Sequence, residues 1–199
     1  MSSNDSLTKS KDIRAAILDA ALDLFAENGF HSSPMSRIAT HAGVGVGSIY
    51  RYFKDKDDLI HALYEGVDAP LQEFMEANID TSLSTKMQFI HFVTKSIGYL
   101  CSRPREFRFL EQYYNSPYGI DKVRERIMEA DGEPTTLFTR LFVKGQKEGS
   151  IRMLPLPVYP AVTFGPGSLL IRYALSGRII VDDTLIAATA EACWNAIKA

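Results

Sequence analysis

Apolar residues recur at helical spacing along almost the whole chain. In the first segment Ile13, Ile17, Ala20 and Leu24 lie three or four residues apart, which places them on one face of an α-helix. The same spacing returns in the later segments, and prolines or glycines separate these segments at positions that suit helix ends. The sequence therefore predicts an all-α chain of nine to ten helices.

Start and stop signals give approximate bounds for these helices. Ser10 and Gly29 delimit the first helix, Ser33-Pro34 opens a short one, and Asp55 caps a long one in which Pro70 predicts a kink. The expected helices span roughly residues 11–28, 34–39, 46–53, 56–74, 84–102, 104–115, 120–130, 134–148, 159–176 and 183–198.

Composition excludes several classes of protein. The chain has 199 residues, of which 46% are hydrophobic, and this apolar content excludes wholesale disorder. No apolar run approaches the roughly 18 residues of a membrane span. The polar residues 1–10 lack the apolar core of a secretory signal and are expected to form a disordered tail. Cys101 and Cys193 are far apart in sequence, which predicts a reducing cytoplasm and no metal site.

The segment 33–56 carries most of the functional information. It reads SPMSRIATHAGVGVGSIYRYFKDK, which predicts two short helices joined by a turn at Gly43, the geometry of a helix-turn-helix. Four basic residues and one acid lie within it, although the net charge of the whole chain is −2. Ile49 and Phe53 would lie on the inner face of the second helix, so the outer face would enter the major groove of DNA.

Residues Ile13–Tyr64 resemble the N-terminal domain of the TetR family, the tetracycline-repressor-like bacterial transcriptional regulators. The matching residues are Ile17, Ala20, Ala21, Leu24, Phe25, Asn28-Gly29-Phe30, Ile38-Ala39, Ala42-Gly43-Val44, Gly47-Ser48-Ile49-Tyr50-Arg51-Tyr52-Phe53, Lys56 and Leu59. The resemblance implies an all-helical homodimer. Its three-helix N-terminal domain would bind a palindromic double-stranded operator, and its larger C-terminal domain would bind a small-molecule inducer. The expected domains are residues 11–56 and 57–199.

The resemblance also implies which residues contact DNA. Tyr50, Arg51 and Tyr52 match contacts of the recognition helix, and Lys56 matches a lysine that meets phosphate. Ser33 matches a capping residue near the DNA backbone, whereas Pro34 and Arg37 depart from the family's commonest residues. The expected DNA-binding residues are Ser33, Arg37, Gly47, Ser48, Tyr50, Arg51, Tyr52, Lys54 and Lys56.

Aromatic residues crowd the C-terminal half, which suits a largely apolar pocket with a few orienting polar groups. Some multidrug-responsive members of the family have an aromatic residue near Tyr64 and another on the helix that holds Phe138 and Phe142. Asp68 lies one turn beyond Tyr64 and would attract a cationic ligand. The expected ligand-binding residues are Tyr64, Asp68, Phe92, Ser96, Tyr113, Phe138 and Phe142.

Two segments are expected to form the dimer interface. Leu137–Arg152 resembles the helix that pairs across the family's dimer, and the helix over 163–177 would be its partner. Small residues in the second helix would let two helices approach closely. The expected interface residues are Leu137, Leu141, Phe164, Gly165, Ser168, Ile171, Arg172 and Leu175.

These observations lead to one hypothesis with two alternatives. The hypothesis is a cytoplasmic repressor with no cofactor, no metal and no membrane partner, released from its operator by a small, largely hydrophobic inducer. An activator, or a regulator without a small-molecule inducer, is the first alternative. An enzyme with a helical C-terminal domain is disfavoured because the sequence shows no nucleophile–base pair, metal-ligand spacing or phosphate-binding loop.

Overall fold

The computed structural model describes residues 2–128, 136–155 and 158–199, and it describes the side chains of all of these except residues 2–9, 11 and 123–128. The described residues form ten helices. These are α1 (Ser2–Asn28), α2 (Met35–His41), α3 (Val46–Ile49), α4 (Lys56–Asn78), α5 (Thr85–Cys101), α6 (Pro104–Tyr114), α7 (Pro117–Met128), α8 (Leu137–Lys147), α9 (Val158–Leu175) and α10 (Asp183–Ile197).

The predicted all-α class is confirmed, and the differences in the helix bounds have local causes. Helical backbone begins at Ser2, where the sequence predicts a disordered tail, because no proline or glycine stops α1 from extending. The regular part of α3 ends at Ile49 rather than Phe53, and the backbone continues in turns whose N–H groups reach back to Ser48 and Ile49. The predicted end of α7 near residue 130 and the start of α8 at Pro134 lie outside the described residues.

The predicted cap of α4 is present. Asp55 accepts a hydrogen bond from the backbone N–H of Asp58 at 2.9 Å, and the Asp58 carboxylate accepts one from the N–H of Lys54 at 2.9 Å. The first bond satisfies an N–H group that the first turn of a helix leaves without a partner, and the second ties the residue before the cap to the same turn. The helix then continues past Pro70, as predicted, although proline cannot donate a backbone hydrogen bond there.

The chain divides into two units, and the division differs from the expected domains at 11–56 and 57–199. Unit 1 contains the residues up to Asp68 together with Arg105–Tyr113, so it includes the first half of α4 and nearly all of α6. Unit 2 contains Ala69–Pro104 and Tyr114–Ala199. The boundary within α4 falls just before Pro70.

Unit 2 is built around α5, which packs against α8, α9 and α10. The side chain of Phe89 on α5 contacts Phe142 at 6.0 Å and Trp194 at 5.6 Å between ring centroids. The buried hydroxyl of Tyr159 accepts from Gln146 Nε2 at 2.5 Å and donates to the carbonyl of Arg152 at 2.7 Å. Tyr159 therefore fixes the connection between α8 and α9.

Candidate nucleic-acid interface

The turn between α2 and α3 has the hydrogen bonds of a Schellman motif. The N–H of Gly43 donates to the carbonyl of Thr40 at 3.1 Å, and the N–H of Val44 donates to that of Ala39 at 2.9 Å. Gly43 has a φ of +68°, which is a left-handed conformation. A residue with a Cβ atom adopts this conformation only at an energetic cost. The predicted turn at Gly43 is therefore confirmed, and it sets the direction of α3.

The helix α3 presents a clearly defined outer face. Ile49 and Phe53 are buried on its inner side, at 0% and 2% exposure. Gly47, Tyr50 and Arg51 are exposed, as predicted, and so is Val46, which the sequence analysis did not select. Ser48 and Tyr52 are half-buried on the flanks of the helix.

Two exposed cations accompany this face. Arg37 on α2 is exposed, and its guanidinium donates to the carbonyl of Ser32 at 3.3 Å. Lys54, in the connection between α3 and α4, is also exposed. Both side chains can turn toward a phosphate without giving up a buried contact, because neither is desolvated.

Ser33 and Lys56, which are expected to contact DNA, are hydrogen-bonded to backbone carbonyls inside unit 1. Ser33 is fully buried, its hydroxyl donates to the carbonyl of Leu24 at 3.0 Å, and Pro34 takes the capping position of α2. The Lys56 ammonium donates to the carbonyl of Phe30 and lies 5.9 Å from the centroid of the Phe25 ring. Burial lowers the pKa of Lys56, and the charge of Asp57 opposes that shift. Both residues satisfy carbonyl groups at and beyond the end of α1.

The helix α6 supplies further contacts at the C-terminal end of α1. Gln112 Nε2 donates to the carbonyl of Phe25 at 2.6 Å, and the Phe109 ring contacts Phe25 and Phe30 at 6.5 Å and 6.0 Å. Arg105 at the other end of α6 bridges Asp19 and Asp23 at 2.5 Å and 2.9 Å. These residues are not among the sequence predictions, since nothing in the local pattern of α6 indicates a partner more than eighty residues earlier.

The expected ligand-binding residues fall into two groups. Tyr64, Asp68 and Tyr113 belong to unit 1, where the rings of Tyr64 and Tyr113 stack with centroids 4.0 Å apart and Asp68 is buried. Phe92, Ser96, Phe138 and Phe142 belong to unit 2.

Three of the four residues in unit 2 form an aromatic cluster. The Phe138 ring lies 6.0 Å from Phe92, 4.4 Å from Phe142 and 4.8 Å from Phe164, measured between centroids. Phe138 and Phe164 are half-buried, whereas Phe142 is 1% exposed. The hydroxyl of Ser96 donates to the carbonyl of Phe92 at 2.8 Å, so its proton is hydrogen-bonded within α5.

The expected interface residues differ widely in exposure. Leu137, Leu141 and Ile171 are at most 4% exposed because they pack inside unit 2. Their side chains therefore offer little surface to a second chain. Gly165 and Arg172 are exposed, and Phe164, Ser168 and Leu175 are half-buried.

Two further observations concern other kinds of site. In the described ranges, no group of three or more His, Cys, Asp or Glu residues is arranged to hold a metal ion. None of the helices in that part of the chain is long and apolar enough to span a bilayer.

Comparisons with known proteins agree with this geometry. Residues 17–63 match the family model for bacterial regulatory proteins of the tetR family, and residues 67–199 match the tetracyclin repressor-like C-terminal domain. The chain belongs to the TetR family. In this TetR-family protein, the helix-turn-helix lies within the match to the bacterial regulatory proteins. The boundary between the two matches lies inside α4, close to Pro70.

Individual relatives show how far the similarity of this TetR-family protein extends. The chain is 38% identical over 84 residues to the fatty acid metabolism regulator protein of Bacillus subtilis (strain 168), a match that covers 42% of this chain and 43% of that protein. The chain therefore spans less than half the length of this curated relative.

Two solved structures share the fold. A TetR family transcription regulator from Marinobacter aquaeolei VT8 has a TM-score of 0.80 at 21% identity, covering 96% of this chain and 98% of that one. FadR from Bacillus subtilis, solved in complex with stearoyl-CoA, has a TM-score of 0.66 at 22% identity, covering 91% and 95%.

Substitution of Gln112 tests the hydrogen bond from α6 to the C-terminal end of α1. Gln112→Ala removes the donor to the Phe25 carbonyl, so we expect the free energy of unfolding to fall by about 1 kcal/mol. Gln112→Glu should cost more at neutral pH, because an ionised carboxylate only accepts hydrogen bonds and would face carbonyl oxygens. Denaturant unfolding measures both, with Arg108→Ala, an exposed change on the same helix, as the control. Equal stability of the three variants would contradict this role.

Proposed function

We propose that this protein is a ligand-responsive repressor, which binds a palindromic operator as a homodimer and is released by a small, largely hydrophobic inducer. The outward face of α3, with Gly47, Tyr50 and Arg51 exposed beside the cations Arg37 and Lys54, carries the proposal. Gly47 lets the backbone approach a base edge, because it carries no side chain and the space beside it is open within 4 Å. Arg51 supplies bidentate donors suited to guanine.

The arrangement separates affinity from specificity. Lys54 and Arg37 provide positive charge for phosphates, and such contacts make binding depend strongly on salt. Tyr50 and Arg51 supply the contacts to base edges. Ser48 and Tyr52 are half-buried, so each offers less surface to a base. Ser33 and Lys56 are left out of the proposed contact set, because their polar groups are hydrogen-bonded within unit 1.

Selection of genomic fragments by the purified protein tests operator recognition. We expect one short pseudo-palindrome to be enriched, since a two-fold dimer presents two equal recognition helices. Arg51→Ala should weaken binding to that sequence about 10-fold or more, because a good bidentate contact is worth about 1–3 kcal/mol in each half-site. Arg178→Ala in unit 2 removes the same charge and should leave binding unchanged. Enrichment that is equal for wild type and Arg51→Ala would exclude this helix as the reader.

The homodimer is supported by exposed stripes on two helices of unit 2. Val158, Ala161, Gly165, Leu169 and Arg172 follow one another at three- or four-residue intervals along α9, and all are exposed. Leu185, Ala188 and Ala192 do the same on α10. Small and apolar residues in this arrangement allow close packing of helices from a second copy, so we place the interface on α9 and α10 instead of α8.

Leu169→Glu tests the placement of the interface. A two-fold interface receives this charge twice, and each carboxylate would lose its hydration on association, so we expect a monomer at concentrations where the wild type is dimeric. Ile180→Glu makes the same change at a residue that is 93% exposed in the connection between α9 and α10, and it should remain dimeric. Sedimentation or light scattering gives the masses. A dimeric Leu169→Glu would move the interface elsewhere, and a monomeric wild type would reject the dimer.

A long-chain acyl-CoA is the inducer that we propose to test first. The cluster of Phe92, Phe138 and Phe164 supplies apolar surface, and its half-buried members are where a hydrocarbon chain can gain contact. Two proteins similar to this chain, the regulator of fatty acid metabolism and FadR with stearoyl-CoA, suggest the ligand class. Tyr64, Asp68 and Tyr113 stay predictions as ligand contacts.

Stearoyl-CoA should release the operator when it is titrated into the complex, whereas coenzyme A without the acyl chain should not. A 100-fold loss of operator affinity requires about 2.7 kcal/mol of difference in ligand affinity between the two states. Phe138→Ala should weaken the response roughly 10-fold, since it removes apolar contact worth more than 1 kcal/mol. Phe74→Ala, which removes a ring paired with Tyr99 instead, is the control. Unchanged operator affinity at saturating stearoyl-CoA would reject this inducer.

A further inference from the structure

Val46 is an apolar residue on the outward face of α3. The backbone stays right-handed helical at Tyr50, which follows α3 (φ −71°, ψ −8°), so Val46 and Tyr50 lie about one turn apart. Both are on the exposed side with Gly47 and Arg51. Val46 is 44% exposed and Tyr50 is 52% exposed, whereas Ile49 is fully buried. The isopropyl group of Val46 thus contributes little to the core of unit 1 and is presented together with the charged residue of the helix.

The surroundings of Val46 leave its methyl groups accessible. Gly45 and Gly47 flank it and carry no side chains, and a Cβ atom built at Gly47 would meet nothing within 4 Å. The segment from Val46 to Phe53 contains no Asn or Gln, the side chains that read adenine by paired hydrogen bonds. The exposed side of this segment therefore has one guanidinium that can make paired hydrogen bonds, the hydroxyl of Tyr50, and the apolar surface of Val46.

The major groove offers one apolar group that distinguishes a base, the 5-methyl group of thymine. We propose that Val46 reads the methyl group of a thymine in each half-site of the operator, with the Tyr50 ring as a second apolar neighbour. This inference rests on the proposed function, because it requires that α3 enters the major groove of an operator. The cations Arg51, Lys54 and Arg37 are all exposed in the helix-turn-helix segment, and this positive charge favours DNA over an uncharged partner.

The test removes the methyl group from the DNA without changing its base pairing. Each thymine of the selected operator is replaced in turn by deoxyuridine, and the dissociation constant is measured at one fixed salt concentration. At one thymine of each half-site we expect wild-type binding to weaken about four-fold, and about 15-fold when both half-sites are changed, as the loss of a buried methyl contact implies.

Protein variants connect this effect to Val46. Val46→Ala should bind the thymine duplex more weakly and lose the penalty for deoxyuridine at that position, which is the signature of coupling in a double-mutant cycle. Val46→Thr, which keeps the volume and the β-branch, controls for any change in the fold of α3. Ile180→Ala removes apolar atoms from an exposed residue in the connection between α9 and α10, outside the proposed contact surfaces, and should keep the full penalty.

Each outcome decides something different. A wild-type protein that selects no operator rejects the proposed function itself. A wild-type protein that binds its operator, but is indifferent to deoxyuridine at every position, overturns the reading of thymine by Val46. The same conclusion follows if Val46→Ala and wild type show equal penalties. Restored binding when a cytosine placed at the sensitive position is converted to 5-methylcytosine would confirm that the methyl group is what is read.

Discussion

Phe25 holds together the part of the molecule that carries the recognition helix. Its ring contacts Phe30 at 5.1 Å, Phe109 and the ammonium of Lys56, and its carbonyl accepts from both Gly29 and Gln112. The end of a helix leaves carbonyl groups without partners, and buried ones are costly. Here Lys56 at the start of α4 and Gln112 on α6 donate to carbonyls at and beyond the end of α1. These hydrogen bonds also hold α4 and α6 in place beside the helix-turn-helix.

Hydrogen bonds of this kind limit the side chains that remain for DNA. The hydroxyl of Ser33 and the ammonium of Lys56 serve carbonyls of the protein's own backbone. The reading face is therefore small: a bare backbone at Gly47, one guanidinium at Arg51, one phenol at Tyr50 and one isopropyl group at Val46. Such a face favours recognition by shape, by methyl contact and by a single strong polar contact.

The division of the chain into units differs from the division into family matches. Most of α6 lies in unit 1, although its sequence falls within the match to the C-terminal family domain. The chain passes from unit 1 to unit 2 within α4 beside Pro70, enters unit 1 again at Arg105 and leaves it after Tyr113. Pro70 lies inside α4 and removes a backbone hydrogen bond there, so this passage resists bending less than a continuous helix would. Three covalent connections thus join the two units.

The sequence by itself determined the helical class, the positions of most helix ends, the turn at Gly43 and the outward position of Tyr50 and Arg51. Periodicity, capping and positive φ are local properties, and residues a few positions apart decide them. Only the tertiary structure decided that Ser33 and Lys56 turn inward, that Gln112 completes α1, and that Leu137 and Leu141 are covered within the chain. Each of these depends on a partner outside the residue's own helix, nine residues away for Ser33 and 87 for Gln112. The local pattern of a helix is the same whether its apolar face meets its own chain or another.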